Sequence, residues 1–369
     1  MSNRVNDLFN AMGHERALIT QQVTAYRDYS QAEVFFRLAW EKSQRVNGLR
    51  ERFAGRRIAK VFVGASLAAA GLQLPGADVA ALPRDYFERA LGDGLPALLQ
   101  ELAGAIVVIN NNDFSHGQSA PGIMRLYGQA DDTVFLGWDY DNHHWMDASL
   151  MLAAHTDLYF PAHQENMFLL SRLNALTCGP VPCATVQWSQ RFLEAHLERM
   201  LDTPRSDLPL GMHFFYQAFA FRNQTVVTLG KHYPNVGFAD RAFQVKTPED
   251  RLGEWIAHKA HWIVPVLNDV PIRIFDALSS GGVPLLPEAL RFLEPVASLP
   301  REHVVFYGPQ DILEPQAVVA RANALFDQGG VAGIVARHRL GVDRHHAADR
   351  LARMLEMARE RLEFAPLIG

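Results

Sequence analysis

Short apolar runs recur along this chain. Each gives way first to turn residues and then to a stretch with a helical period, an alternation that a parallel α/β sheet satisfies and few other architectures do. In the first half the runs are RRIAKVFVGAS at 56–66, GAIVVIN at 104–110, DTVFLGWDYD at 132–141 and HTDLYFPAH at 155–163. A helical AEVFFRLAWEKSQRVNGLRERF precedes the first of them, so the sheet-bearing part begins near Arg57, and a helical ENMFLLSRLNAL follows the last.

The second half repeats this grammar. It predicts a helix over FFYQAFAFR (214–222), a strand over QTVVTLG (224–230), a helix over RLGEWIAHKA (251–260) and a strand over HWIVPVL (261–267). A helix over PIRIFDALSSGG (271–282) and a strand over VPLLP (283–287) complete it. Two such halves predict two Rossmann-like domains, 1–203 and 204–345, with LDTPRSDLPLG as the linker and a cleft between them as the place for ligands. Residues 346–369 continue the amphipathic DRHHAADRLARMLEMARERLEF, with Leu351, Met354 and Leu355 on one face, and are expected to pack back on the first domain.

A chain of 369 residues that is 49% hydrophobic has the apolar material for two such cores. Its formal net charge of −5 and pI near 6.3 provide no basic field for nucleic acid. No leader-like segment opens the chain and no stretch offers about eighteen uninterrupted apolar residues, so a cytoplasmic protein with no membrane span is expected. Cys178 and Cys183, the only cysteines, read as reduced thiols in a loop, since two thiols cannot close a zinc site alone.

The segment VLNDVPIRIFDALSSGGVPLLPE carries the most chemistry. It sets a helix directly after a strand, with Arg273 and Asp276 three residues apart on one face. A helix start of this kind can hold a diphosphate on its backbone N–H groups, with Arg273 adding a permanent charge and Asp276 accepting from ribose hydroxyls. The same residues could equally form a solvated ion pair above a glycine C-cap at Gly281–Gly282.

VPIRIFDALSSGGVPLL resembles the donor-site signature R-x-F-E-A-hydrophobic-small-x-G-G of the CgeB-like, glycosyltransferase family 1 and 4 type proteins. Those proteins carry two Glu residues eight positions apart, where this chain has Asn268 and Asp276. GWDYDNHHWMDASLMLAAHTDLYFPAHQENMFLL resembles their W-x-x-D-D-P stretch. Gly211 and Arg222 stand where a glycine and a phosphate-directed arginine open the second domain, and His345 and Arg350 resemble the H-T-x-x-x-R of the last helix.

The resemblance implies an α/β fold of the GT-B type and a hexosyltransferase-like activity. It takes a nucleoside-diphosphate sugar as co-substrate and needs no metal or other cofactor. Gly211, Arg222, Asn268, Val270, Arg273, Asp276, Ser280, Gly281 and Gly282 are the residues it assigns to the donor. The acceptor, whether glycan, lipid, protein or small molecule, is left open.

DYDNHHW packs Asp139, Asp141, His143 and His144 behind a strand, material for acid and base work, and Asp141, His143 and His144 are the expected catalytic groups at the acceptor. The same residues read equally as a polar turn capping the next helix. With His155, Asp157 and His163 they could instead hold a divalent metal in a hydrolase, although no H-E-x-x-H spacing is present. NNNDFSHGQ at 110–118 could line the cleft through Asn112, Asp113 and His116 or be simple turn chemistry, and GGVAGIVARHR lies too late to be a dinucleotide fingerprint. A GT-B module that binds a sugar nucleotide without turnover is the remaining reading.

Overall fold

The computed structural model describes residues 3–29, 33–58, 60–68, 70–83, 85–115, 119–140, 146–171, 176–239, 246–267 and 269–366. Among the described residues ten strands run β1 (Lys60–Val63), β2 (Asp78–Ala81), β3 (Ile106–Asn110), β4 (Val134–Asp139), β5 (Leu158–Pro161), β6 (Gly211–His213), β7 (Val236–Phe238), β8 (Ala260–Trp262), β9 (Val283–Pro287) and β10 (Val305–Tyr307). The helices around them include α1 (Asn3–Tyr29), α2 (Glu33–Phe53), α3 (Ala220–Gly230), α4 (Pro248–Ile256), α5 (Ile272–Ser279), α6 (Gln316–Arg344) and α7 (Ala347–Leu362). The fold is α/β with parallel sheets.

One compact unit comprises Ala25–Val186 and Ala347–Gly369. Its sheet has the order β2-β1-β3-β4-β5 and every pair is parallel, with Val61 opposite Ile106 and Leu136 opposite Leu158. The apolar runs IVVIN and VFLGWD are buried along their whole length, as strands covered on both faces must be. Val107, Ile109, Phe135 and Tyr159 pack there against Leu98, Leu102 and Leu126. Helix α7 lies against α2, and Leu351, Met354 and Leu355 are all buried, the face expected from the sequence. Cys178 and Cys183 are both buried and neither is in a disulfide.

The other unit comprises Met1–Thr24 and Gln187–His346. Its strands form the parallel sets β10-β9-β8 and β6-β7. Leu210 joins the two sets, because its carbonyl accepts the Trp262 N–H at 2.6 Å and its N–H donates to Ala260 at 2.9 Å, so the strands follow one another as β7-β6-β8-β9-β10.

This division departs from the expected one at 203/204. Trp188, Leu193 and Met200 lie in one apolar cluster with Leu252, Trp255, Ile256 and Ala277, which draws residues 187–203 into the second unit. The expected linker is also tied down: Arg205 donates to the carbonyls of Ser280 (2.8 Å), Met200 and His258. Leu8 of α1 likewise belongs to the cluster of Trp262, Leu285 and Val318.

A second departure is local. The segment 224–230, expected as a strand from its β-branched Thr225, Val226, Val227 and Thr228, is the body of α3. Thr225 and Thr228 bond their own i−4 carbonyls, and the burial of Val226 and Leu229 in the core overrides propensity. GGVAGIVARHR lies inside α6, which kinks at Gly330 (φ +51°).

Gly281 and Gly282 close α5. Gly281 takes φ +75°, its N–H reaches Leu278 at 2.8 Å, and the Gly282 N–H reaches Ala277 at 2.9 Å, the paired bonds of a Schellman end. A Cβ on Gly282 would stand 2.4 Å from His261 Nε2, and that ring is stacked on Trp255 at 4.7 Å and cannot retreat. Gly282→Ala is therefore expected to cost about 1–3 kcal/mol by overpacking. Urea denaturation with an unchanged midpoint would show that the His261 ring has room after all.

Candidate functional site

Strands β6 and β8 end side by side, and a helix starts shortly after each. Gly211 makes this approach possible: a Cβ there would meet Trp262 Cβ at 3.1 Å and Val236 Cγ1 at 3.2 Å. The chain leaving β6 turns through 214–219 into α3, whose third residue is Arg222. Only 5% exposed, Arg222 donates from Nε to the Val264 carbonyl (3.3 Å) and from Nη1 to the Phe214 carbonyl (2.5 Å), and its guanidinium lies 4.9 Å from the Tyr216 ring centre. It thus bridges the loops that leave β6 and β8.

The loop after β8 holds a strained residue. Leu267 sits at φ +51°, a region that costs a branched side chain about 1 kcal/mol or more. Asp269 pins the turn by accepting the Val266 N–H at 2.9 Å. Helix α5 then begins on Pro271, whose side chain has no acceptor to cap the first turn. Arg273 lies in that turn, partly buried.

Two guanidiniums and an imidazole meet at this edge. Burial, with the charge of Arg222 beside it, pushes Arg273 down to about 10. Burial together with Arg273 and Arg222 holds His213, at the end of β6, well below the ordinary imidazole range, so it is neutral at pH 7. His213 Nε2 lies 3.2 Å from the Trp262 carbonyl. Acidic groups answer part of this charge, Asp269 and Glu15 toward Arg222 and Asp276 and Glu254 toward Arg273, but burial still works against both guanidiniums, and an added anion relieves that cost.

Asp276, one turn into α5, is fully buried and accepts from Gln187 Nε2 at 2.6 Å, while Gln187 Oε1 accepts from Arg251 on α4. The carboxylate thus fixes a relay ending on a partly exposed guanidinium.

Room differs beside the two arginines. Arg273, Glu254, Gly211 and Trp262 line a space of about 10 Å³, enough for one water at most. Arg222 instead lines a cavity of about 480 Å³ at the carboxyl ends of β8, β9 and β10. That volume suits a small organic ligand, and the carboxyl edge of a parallel sheet is where such folds bind them.

Of the residues expected at the donor, Gly211, Arg222, Val270 and Arg273 fall at this edge. Asp276 stands behind it. Ser280, Gly281 and Gly282 lie at the opposite end of α5, about 12 Å away at 1.5 Å per residue. There Arg205 and Arg337 hold the Ser280 and Gly281 carbonyls, so these three residues shape the helix end. Asn268 and the expected catalytic Asp141, His143 and His144 lie outside the described residues. Asp139, just before them, is buried and accepts the Tyr159 hydroxyl at 2.5 Å. His345 stacks on Phe275 at 4.8 Å, and Arg350 pairs with Asp349 at 2.6 Å.

His213, Gln187 and Arg251 were not legible as site residues. His213 alone left a trace, two positions after Gly211 and so on the same face of β6. Among the described residues no three His, Cys, Asp or Glu side chains gather as a metal site, and no helix is long and apolar enough to cross a membrane.

No protein-family model and no curated protein matches this chain. Among solved structures it is similar to a sucrose-phosphate synthase from Thermosynechococcus elongatus, at 14% identity and a TM-score of 0.44, over 82% of this chain and 98% of that one.

Proposed function

We propose that the chain is a sugar-nucleotide-dependent glycosyltransferase of the GT-B type that moves a sugar from a nucleoside-diphosphate donor to an acceptor hydroxyl without a metal. The observation that carries this reading is the pair of buried arginines at β6 and β8, close enough for one to lower the other, of which Arg222 also lines a cavity of nucleotide size. The charge that develops on a leaving diphosphate is absorbed by Arg222 at that cavity, with Arg273 and the first-turn N–H groups of α5 reached once the space of about 10 Å³ beside Arg273 widens on binding, which is the task a divalent cation performs elsewhere. Asp141, His143 or His144 serves as base for the acceptor, and slowed transfer at saturating donor in at least one of their alanine variants is the expected sign.

The test is a thermal-shift series with UDP, GDP, dTDP, CMP and their sugars, with and without EDTA. One nucleotide is expected to raise the melting temperature equally in both conditions, by about 2.7 kcal/mol of stabilisation at one hundred times its dissociation constant. A shift that disappears with EDTA contradicts the metal-free reading, and no shift with any nucleotide removes the donor site altogether.

Asp276 acts in this reading through the relay it anchors, holding Gln187 and thereby Arg251 in place. Asp276→Ala is expected to cost about 1.5–3 kcal/mol of unfolding free energy, the value of its charged hydrogen bond to Gln187, and to weaken nucleotide binding by a smaller amount. Calorimetric titration giving the wild-type affinity would take Asp276 out of the site.

A further inference from the structure

The cavity beside Arg222 has a further wall. Helix α1 supplies Met12, Glu15, Arg16 and Thr20 to it, facing Val264, Leu267, Tyr307 and Ile312 across the space. Two buried anchors hold the described part of α1 to this unit: Leu8, in the core cluster, and Glu15, seven residues and two turns further on. Between and around them Phe9, Met12, His14 and Arg16 are exposed.

Glu15 is an unusual anchor. It is 5% exposed, and its Oε2 accepts the Phe221 N–H at 3.2 Å, in the first turn of α3 and next to Arg222 in the chain. A buried carboxylate on a helix start, with a guanidinium nearby, occupies the kind of place a phosphate oxygen would take. Burial outweighs the pull of the Phe221 N–H and the Arg222 charge and pushes the Glu15 carboxyl up to about 7, so an ionised Glu15 is seated there at a cost that a competing anion can exploit. The other charged groups lining the cavity are Arg16 on α1 and Glu288 after β9.

We infer that Glu15 is an internal stand-in for the ligand's anion, so that α1 occupies the Phe221 and Arg222 position in the unliganded protein and is released when a phosphate group takes it. This rests on the anion-site reading above and adds to it a self-occupied state and the residue responsible. Ligand binding and the seating of α1 then oppose each other, since a ligand shifts an equilibrium by its differential affinity for the two states. The cavity beneath α1 opens in the same step.

Inorganic pyrophosphate is the probe, because it carries the anion common to nucleoside diphosphates and no base. Binding to the full chain is measured by calorimetry at pH 8, where Glu15 is ionised, together with hydrogen exchange of residues 3–17. Glu15→Ala, which removes both the charge and the acceptor of the Phe221 N–H, is expected to bind pyrophosphate roughly tenfold more tightly than the wild type, a typical coupling between competing states. In the wild type, pyrophosphate is expected to speed exchange in α1, and in Glu15→Ala that segment exchanges fast already.

Equal affinities in the two proteins overturn the stand-in role while leaving the anion site intact. Tighter binding with no ligand-dependent change in α1 exchange also overturns it, because removing a nearby negative charge does that much alone. If neither protein binds pyrophosphate, the anion site itself falls, and this inference with it. Glu15→Asp, which keeps the charge on a shorter stem, is expected to lie between the two in affinity; wild-type affinity together with wild-type exchange in Glu15→Ala speaks against the role.

Discussion

Arg45→Met is expected to lower the unfolding free energy by about 3–5 kcal/mol, the cost of taking the bonded guanidinium from a buried carboxylate that keeps only the Phe135 N–H (2.7 Å) and the Tyr127 hydroxyl (3.2 Å) as hydrogen-bond donors. Arg45 Nε donates to Asp157 Oδ1 at 2.8 Å, and the Asp157 side chain has no exposed surface. The same guanidinium reaches the carbonyls of Ala130 and Thr133 at 2.8 and 2.9 Å, so one side chain of α2 closes the chain ends that enter β4 and β5. Burial of the arginine works against its charge, and Asp157 more than offsets this, lifting it above its ordinary range. Methionine retains the stem and removes only the donors. Urea unfolding monitored by circular dichroism measures the loss, and a change below about 1 kcal/mol, the ordinary value of an exposed ion pair, means that water reaches Asp157. Arg45→Met with Asp157→Asn is expected to recover part of it, because the second change removes the stranded charge.

Arg222→Met is expected to have the largest effect on ligand binding. Truncating one partner of a buried, hydrogen-bonded charge pair costs about 2–5 kcal/mol, which puts nucleotide affinity down by roughly thirtyfold or more. Arg222 lines the cavity, lowers Arg273 and joins the loops after β6 and β8, so its removal weakens both the field and the geometry. Calorimetric titration with the nucleotide identified by thermal shift gives the affinity, and the melting temperature of the unliganded variant separates the two contributions. An unchanged affinity in a folded variant moves the anion to Arg273 alone.

Much of the sheet was legible because parallel strands buried on both faces must be apolar along their length, and β3, β4, β5 and β9 fall inside runs that read this way. Helices α2, α4, α5 and α7 were equally plain from period and end signals. Three-residue strands such as β6, β7 and β10 left no such signature, since two or three apolar residues have no period. The 224–230 segment misled for a related reason: four β-branched residues in seven outweigh local helix preference, while burial against the core decides the matter in the folded chain.

In the candidate site, the sequence by itself determined the helix start at α5, the arginine in its first turn and the glycine pair at its end, because these depend on residues adjacent in the chain. Tertiary structure decided which of them share a place. It set Arg222 against Arg273 across two strands, carried Ser280–Gly282 to the far end of the helix, and buried Asp276 behind Gln187. It also moved residues 187–203 and the first twenty-four residues into the second unit, through Trp188, Met200 and Leu8, and so put Glu15 at the start of α3 more than two hundred positions away. Local spacing fixes which backbone groups a helix end exposes; which distant side chain meets them depends on how apolar surfaces far apart in sequence find one another.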